Sequence, residues 1–442
     1  MSISIAPLKF GLLLSPMLVL GTIATSTSFN ASAQKINPDG SLPSCKASED
    51  MIFGSKGWIY EPWEWNSSFQ FTAVDEIKDM NDIFKKRGLN LFMVPVPART
   101  VKYSNYVDLS KYSNVRFSVF EYKSNWNKMI DDVSNLGVNI VNILPTVEKY
   151  NVGSRGEAFY YPRDHHWTTS GSEASSKVVT DAINKMVRSK NSAARPVFGT
   201  LKVIKLGFNS GSFGDHYAAK CKNITPRMDA YKATNTPQQS SLLGDKKPNL
   251  AIFGDSFGLA APDNNFSVFI EHYTGLRTIN YSTPGIGPFG ALVGYLADPK
   301  ISQQLPSVVV VPIMGSMPND PVLYRQVTAE VAGCHDKIKE SFKSFKSDSN
   351  IYKYTPTDLA QAAWSSVHLM LDKDVQKVNM DIHYENNFSE KVSLVRDSNE
   401  YYKGDKRNFF IAFQKDKKID SIDISIDNST NFSGSIEICK IF

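Results

Sequence analysis

Leu250-Ala251-Ile252-Phe253-Gly254-Asp255-Ser256-Phe257-Gly258 decides how this chain is read. Four apolar residues in a row, closed by a glycine, suit a short strand buried on both faces, as in the middle of a parallel sheet. A Gly-Asp-Ser turn at the carboxyl end of such a strand exposes the serine hydroxyl above the sheet, where open α/β sheets bind their ligands. Backbone N–H groups of the turn then face whatever negative charge develops beside that hydroxyl. Such turns are common, so the weight comes from this position and from a companion motif.

The companion is Asp164-His165-His166-Trp167. A serine hydroxyl is a weak nucleophile until an imidazole takes its proton, and the imidazole needs a carboxylate to hold its tautomer. Ser256 is therefore read as nucleophile, His166 as general base and Asp164 as orienter. A one-residue gap in an extended loop puts Asp164 and His166 on one side and turns His165 away. Chain order does not count against this, because unrelated folds order the three residues differently. Neighbouring histidines rarely converge on one metal and no Cys-x-x-Cys pair is present, so no metal site is expected. The oxyanion donors are read as the Ser256 N–H and Gly285, within Asn280-Tyr281-Ser282-Thr283-Pro284-Gly285-Ile286-Gly287-Pro288, where glycine allows close backbone approach. Asn319 and Tyr324 are candidates for a third donor.

Outward from the serine, the pattern alternates. Ile52 to Tyr60 reads as two short strands around a Gly-containing turn. Val74, Ile77, Met80 and Phe84 make a helical stripe over Val74 to Lys86 that stops at Gly88. Leu89 to Val96 is apolar on both faces. A helix from Ser118 to Leu136, a strand at Val138 to Ile143, a helix from Ser170 to Val187 and a strand at Val308 to Ile313 continue the series. This is an α/β, doubly wound, mostly parallel sheet. Arg99 follows Pro95-Val96-Pro97 at another strand end and is a candidate substrate contact.

Beyond Ser341 the pattern changes. Ser341 to Asp358, rich in Lys, Ser and Asp, reads as a linker. Val375 to Ile382, Lys391 to Val395, Phe409 to Phe413 and Ile419 to Ile426 read as strands of an all-β sandwich. The division is 34–340 for the α/β domain, 341–358 for the linker and 359–442 for the sandwich. Tyr402, Lys403, Lys406 and Arg407 interleave aromatic and basic groups, which suit the apolar faces and carboxylates of acidic sugars. Residues 345–442 hold thirteen Lys and Arg against fifteen Asp and Glu, so any acidic ligand must meet a local patch.

Residues 1–33 read as a cleaved export signal: Lys9, an apolar run from Phe10 to Ala24, then Ala31-Ser32-Ala33. That run is short of the roughly 20 residues a membrane span needs. The formal charge of +5 is small for 442 residues and dispersed, which argues against nucleic acid. Exported thiols tend to pair. Of the three connectivities that Cys45, Cys221, Cys334 and Cys439 allow, Cys45–Cys221 with Cys334–Cys439 is favoured, since each bridge then staples one end of a domain to its body.

The series Gly54-Ser55-Lys56-Gly57-Trp58-Ile59-Tyr60, Pro95-Val96-Pro97-Ala98-Arg99, Asp164-His165-His166-Trp167-Thr168, Gly254-Asp255-Ser256 and Pro284-Gly285-Ile286-Gly287 resembles the periplasmic alginate O-acetyltransferases, which are SGNH-hydrolase-like proteins. The closest resemblance is to the X-type members, which add a C-terminal carbohydrate-binding β-sandwich and carry two comparable disulfides. Pro312-Ile313-Met314-Gly315-Ser316-Met317 stands where the family often has Trp-Glu-x-Pro-Glu-Arg. Ala260, Ala261 and Pro262 follow the nucleophile where an aromatic is usual. The resemblance implies a periplasmic O-acetyltransferase that passes acetyl through Ser256 onto an exopolysaccharide, with Ser256, His166 and Asp164 as triad. It further implies a membrane acyltransferase as acetyl donor, export-complex proteins as partners, no cofactor and a monomer. A polysaccharide acetylesterase with the same triad and a non-catalytic polysaccharide-binding export subunit are the alternatives.

Overall fold

The structure is a computed structural model that describes residues 36–190, 200–209, 211–222, 227–235, 248–259, 265–287, 289–334, 343–347, 351–356, 364–396, 403–427 and 431–441. The segment expected to be an export signal lies outside them.

Strands β1 (Ile52–Phe53) and β2 (Ile59–Tyr60) pair antiparallel around a turn in which Lys56 and Gly57 take positive φ. The helix Val74–Lys86 buries Ile77, Met80, Ile83 and Phe84, the stripe its sequence predicts, and stops before Gly88 at φ +70°. Strands β3 (Asn90–Val96) and β4 (Asn139–Ile140) flank the helix Val119–Asn135, whose Ser118 cap accepts from Glu121 N–H at 3.2 Å. After the helix Thr169–Lys190, β5 (Leu201–Asn209) and β6 (Met228–Asn235) form an antiparallel ribbon around the helix Ser212–Cys221. Then come β7 (Leu250–Ile252), β8 (Thr278–Asn280) and β9 (Val308–Met314).

Five of these make a parallel sheet in the order β4-β3-β9-β7-β8. Leu91 to Val96, Leu250 to Phe253 and Val308 to Ile313 are buried throughout. That is why these strands read as unbroken apolar runs: both faces are covered. Each large side chain so buried contributes on the order of 1.5–3 kcal/mol, offset by the entropy of ordering the chain.

The C-terminal region has two antiparallel four-stranded sheets. Their strands are β10 (Lys343–Ser347), β11 (Ile351–Tyr354), β12 (Ser365–Leu371), β13 (Lys377–Tyr384), β14 (Ser389–Val395), β15 (Asn408–Ala412), β16 (Ile419–Ile426) and β17 (Phe432–Lys440). The orders are β10-β17-β12-β15 and β11-β16-β13-β14. The described residues of the expected linker 341–358 are thus mostly strand, for they supply β10 and β11. Each is an edge strand that buries Phe345 or Tyr354 inward and shows lysines to solvent, which gives an edge strand a linker's composition.

The sandwich is built onto the α/β domain. Along β15, Phe409, Ile411 and Phe413 enter the sandwich core while the alternate Phe410 and Ala412 enter the α/β core. Arg325 of the helix Pro321–Ala332 forks onto Glu390 at 2.9 and 2.8 Å. Disulfides join Cys45 to Cys221 and Cys334 to Cys439, with Cα separations of 5.7 and 5.1 Å, the pairing that the sequence favoured. Closing spans of 176 and 105 residues restricts the unfolded chain by roughly 4–5 kcal/mol each in the loop-entropy account.

Candidate active site

Past β7 the chain runs against β9 so closely that a Cβ on Gly254 would lie 2.7 Å from Pro312 Cγ. The Asp255 carboxylate accepts the Phe257 N–H at 2.9 Å and caps the single turn Ser256–Gly258. Burial pushes the Asp255 carboxyl up, against the lowering pull of the Phe257 and Met314 amides. The chain after β8 fixes the turn from the other side. Thr283 N–H donates to Gly254 O at 2.9 Å and Asn280 Nδ2 to Gly258 O at 2.9 Å. Gly285, at φ +77°, sits in the turn two residues beyond that anchor.

The Asp164 loop is held by packing whose role the sequence alone did not assign. Tyr160 and Trp167 bridge antiparallel, and Tyr161 N–H donates to His166 O at 3.1 Å. Trp167 is fully buried, edge-on to Phe257 at 5.2 Å and stacked on Phe266 at 5.2 Å. The residue directly after Ser256 therefore seats the loop that carries the histidine. Arg163 O accepts from Phe213 N–H at 3.1 Å. A Cβ on Gly211 would come within 2.2 Å of that oxygen, so glycine is required there.

These contacts bring three side chains into one line. His166 Nε2 lies 2.6 Å from Ser256 Oγ, and His166 Nδ1 lies 2.5 Å from Asp164 Oδ1. Asp164 Oδ1 also accepts the His166 N–H at 3.0 Å, while Oδ2 accepts from Ser212 N–H at 2.8 Å, at the start of the helix Ser212–Cys221. Burial would raise the Asp164 carboxyl. The hydrogen bond and charge of His166, the charge of His165 and the Ser212 amide outweigh it and hold Asp164 well below the usual carboxylate range.

His165 departs from expectation. The bond from His166 N–H to Asp164 Oδ1 closes an Asx turn, so the segment bends rather than extends, and His165 folds back with its ring 3.9 Å from that of His166. Burial, then the charges of His166 and Arg99, push His165 down to about 3 despite Asp164.

Arg99 is not a substrate contact. It is 1% exposed, and its donors are engaged: Nε and Nη2 to Glu64 at 2.7 and 2.8 Å, Nη2 to Ile59 O at 2.7 Å and Nη1 to Tyr161 O at 2.6 Å. Its place at the end of a central strand led the sequence reading to the right neighbourhood and the wrong role, because burial is not legible in a strand-end position. Asn319 Oδ1 accepts from Thr72 and Ala73 N–H at 2.9 and 3.1 Å ahead of the helix Val74–Lys86, and Tyr324 OH donates to Pro318 O at 2.7 Å. The Tyr324 donor is therefore spent on structure, while Asn319 is tied through its acceptor oxygen to the start of that helix.

Lys403 and Arg407 are exposed and Lys406 is half-buried. They lie where the sandwich meets the α/β domain, with Asp405 N–H donating to Gly294 O at 2.9 Å. Tyr402 lies outside the described residues.

A model of the SGNH hydrolase-like domain of the acetyltransferase AlgX matches residues 51–312. Among named relatives, an alginate biosynthesis protein AlgX of Pseudomonas putida is 26% identical over 240 residues, which are 53% of this chain and 49% of that protein. Its counterpart in Azotobacter vinelandii is 27% identical over 243 residues, 53% of this chain and 47% of that one. The chain spans about half the length of these relatives. The solved structure of Pseudomonas aeruginosa AlgX superposes with a TM-score of 0.71 at 17% identity, over 90% of this chain and 97% of that one, and shares the fold.

Proposed function

This chain belongs to the family of SGNH hydrolase-like AlgX acetyltransferases, and on that premise we propose that it transfers acetyl groups to hydroxyls of an exopolysaccharide through a Ser256 acyl-enzyme. The observation that carries the reading is the continuous contact from Asp164 through His166 to Ser256 Oγ.

Ser256 Oγ gives its proton to His166 Nε2 as it attacks the acetyl carbonyl carbon of the donor. Asp164, ionised and held by the Ser212 amide, stabilises the imidazolium through Nδ1. The Ser256 N–H, with Gly285 as second donor, faces the oxyanion. The donor's leaving group departs with the proton from His166. A sugar hydroxyl then loses its proton to His166, attacks the acetyl carbon and releases Ser256, which takes the proton back. No nucleotide cofactor enters these steps. In a periplasmic setting the donor is a membrane acyltransferase that relays acetyl, and export-complex proteins present the polymer. Among the described residues no helix is long and apolar enough to cross a membrane.

The test uses a chromogenic acetyl ester as donor and an oligouronate as acceptor, with mass spectrometry of protein and products. Ser256→Ala is expected to lower turnover by about 10⁴-fold and to lose the acetyl adduct. Wild-type turnover in that variant overturns the assignment. Acetate released at one rate with and without acceptor makes the chain an acetylesterase instead.

A further inference from the structure

We infer that Asp164, His165 and His166 form a site for one first-row transition-metal ion such as Zn²⁺, whose binding takes His166 Nδ1 from its bond with Asp164 and reversibly silences the centre. This rests on reading His166 as the base.

The Asx turn that folds His165 back also gathers donors. One ligand-type atom from each of the three residues lies within 4.8 Å of the others. His165 Nδ1 is 3.8 Å from Asp164 Oδ1 and buried, and it has no hydrogen-bond partner in the protein. Buried polar atoms nearly always have a partner, and no step of acetyl transfer uses this one. One carboxylate and two imidazoles suit Zn²⁺ or Co²⁺ rather than Ca²⁺ or Mg²⁺, with a fourth position for water. The other gathering of such side chains among the described residues, Cys334, Glu437 and Cys439, offers no thiolate because its two sulfurs are bonded to each other.

The same geometry makes the ion an inhibitor. With metal–ligand bonds near 2.0–2.2 Å, tetrahedral donors sit roughly 3.3 Å apart. The 3.8 Å between His165 Nδ1 and Asp164 Oδ1 is close to that already. The 2.5 Å between His166 Nδ1 and Asp164 Oδ1 must open, which breaks the bond that orients the base. Asp164 Oδ2 keeps its contact with Ser212 N–H, so the carboxylate stays in place. Once Nδ1 gives its lone pair to the metal, the single ring proton resides on Nε2. That nitrogen can then no longer accept from Ser256.

The experiment uses the untagged full chain, stripped by chelation, with Co²⁺ followed by its visible absorption and Zn²⁺ followed by calorimetry. One ion per chain is expected, and EDTA-reversible loss of chromogenic ester turnover should track the same titration. His165→Phe keeps a ring against His166 without a nitrogen and is expected to weaken binding at least about tenfold, with zinc sensitivity scored against its own metal-free rate. His165→Leu serves if the Phe variant does not fold. Ser256→Ala is expected to bind Co²⁺ as wild type does, since Ser256 supplies no ligand. Absence of a Co²⁺ band at millimolar metal, unchanged binding by the His165 variants, or equal zinc inhibition of them overturns the proposal. Full turnover by Ser256→Ala would remove the catalytic reading instead, and the binding data would stand apart from it.

Discussion

Arg99 with Glu64 and Arg396 with Glu330 are both shut away from water, yet they are built differently. Under the Asp164 loop, the Arg99 fork meets both Glu64 oxygens and two backbone carbonyls, one of them Tyr161 O. At the seam with the sandwich, Arg396 Nη2 reaches Glu330 Oε1 at 3.0 Å and Asn408 O at 2.8 Å. Glu330 Oε2, Arg396 Nε and Arg396 Nη1 make no hydrogen bond there. Burial pushes the Glu330 carboxyl up to about 8, although Arg396 opposes this. A buried charge pair is held well only when geometry and extra hydrogen bonds replace the lost water. The first pair meets that condition and rivets the loop carrying His166. The second joins two domains and is poised to hold a proton.

The strongest way to break this contrast is Arg99→Lys, which cannot fork and leaves a Glu64 oxygen or a carbonyl unpaired. It is expected to cost about 3–5 kcal/mol in denaturant unfolding and at least about tenfold in ester turnover, because Tyr161 precedes the Asp164 turn. A variant with wild-type stability and rate would mean that the rivet does not position the base.

At about pH 4.5, where folded and unfolded chains both hold the proton, Glu330→Gln should cost less, about 1–2 kcal/mol, since a protonated carboxyl and an amide present similar groups to Arg396. A loss as large as that of Arg99→Lys would show the two pairs to be equivalent.

The finest test is pH. With its folded pKa near 8 and an ordinary value of 4.5, Glu330 binds more protons in the folded chain than in the unfolded one throughout that window. Its contribution is therefore complete below about pH 4.5 and is lost as pH rises through 8, by up to about 1.4 kcal/mol per pH unit. Unfolding free energies measured from pH 5 to 8 should lose this slope in Glu330→Gln.

What was legible in the chain was local. The stripe Ile77, Met80, Phe84 and the apolar runs at Leu91, Ile252 and Val310 each state a period, and a period is enough to name a helix or a doubly covered strand. The Asp164, His166 and Ser256 contact was also foreseen, but through an extended loop, whereas an Asx turn brings it about. β10 and β11 were passed over because edge strands wear a linker's composition. The unbroken apolar stretch of β15 records a second covered face that no alternation rule supplies.

By itself, then, the sequence determined the types of the strongly periodic elements, named the residues that meet in the candidate centre and favoured the cysteine pairing that is observed. Only the tertiary structure decided that Arg99 is a buried rivet, that His165 folds onto His166, and that Phe410 and Ala412 pack across the seam. The physical reason is distance along the chain. Period and turn chemistry act over a few neighbours, while burial and side-chain partners are settled by elements that meet only after the sheet has assembled.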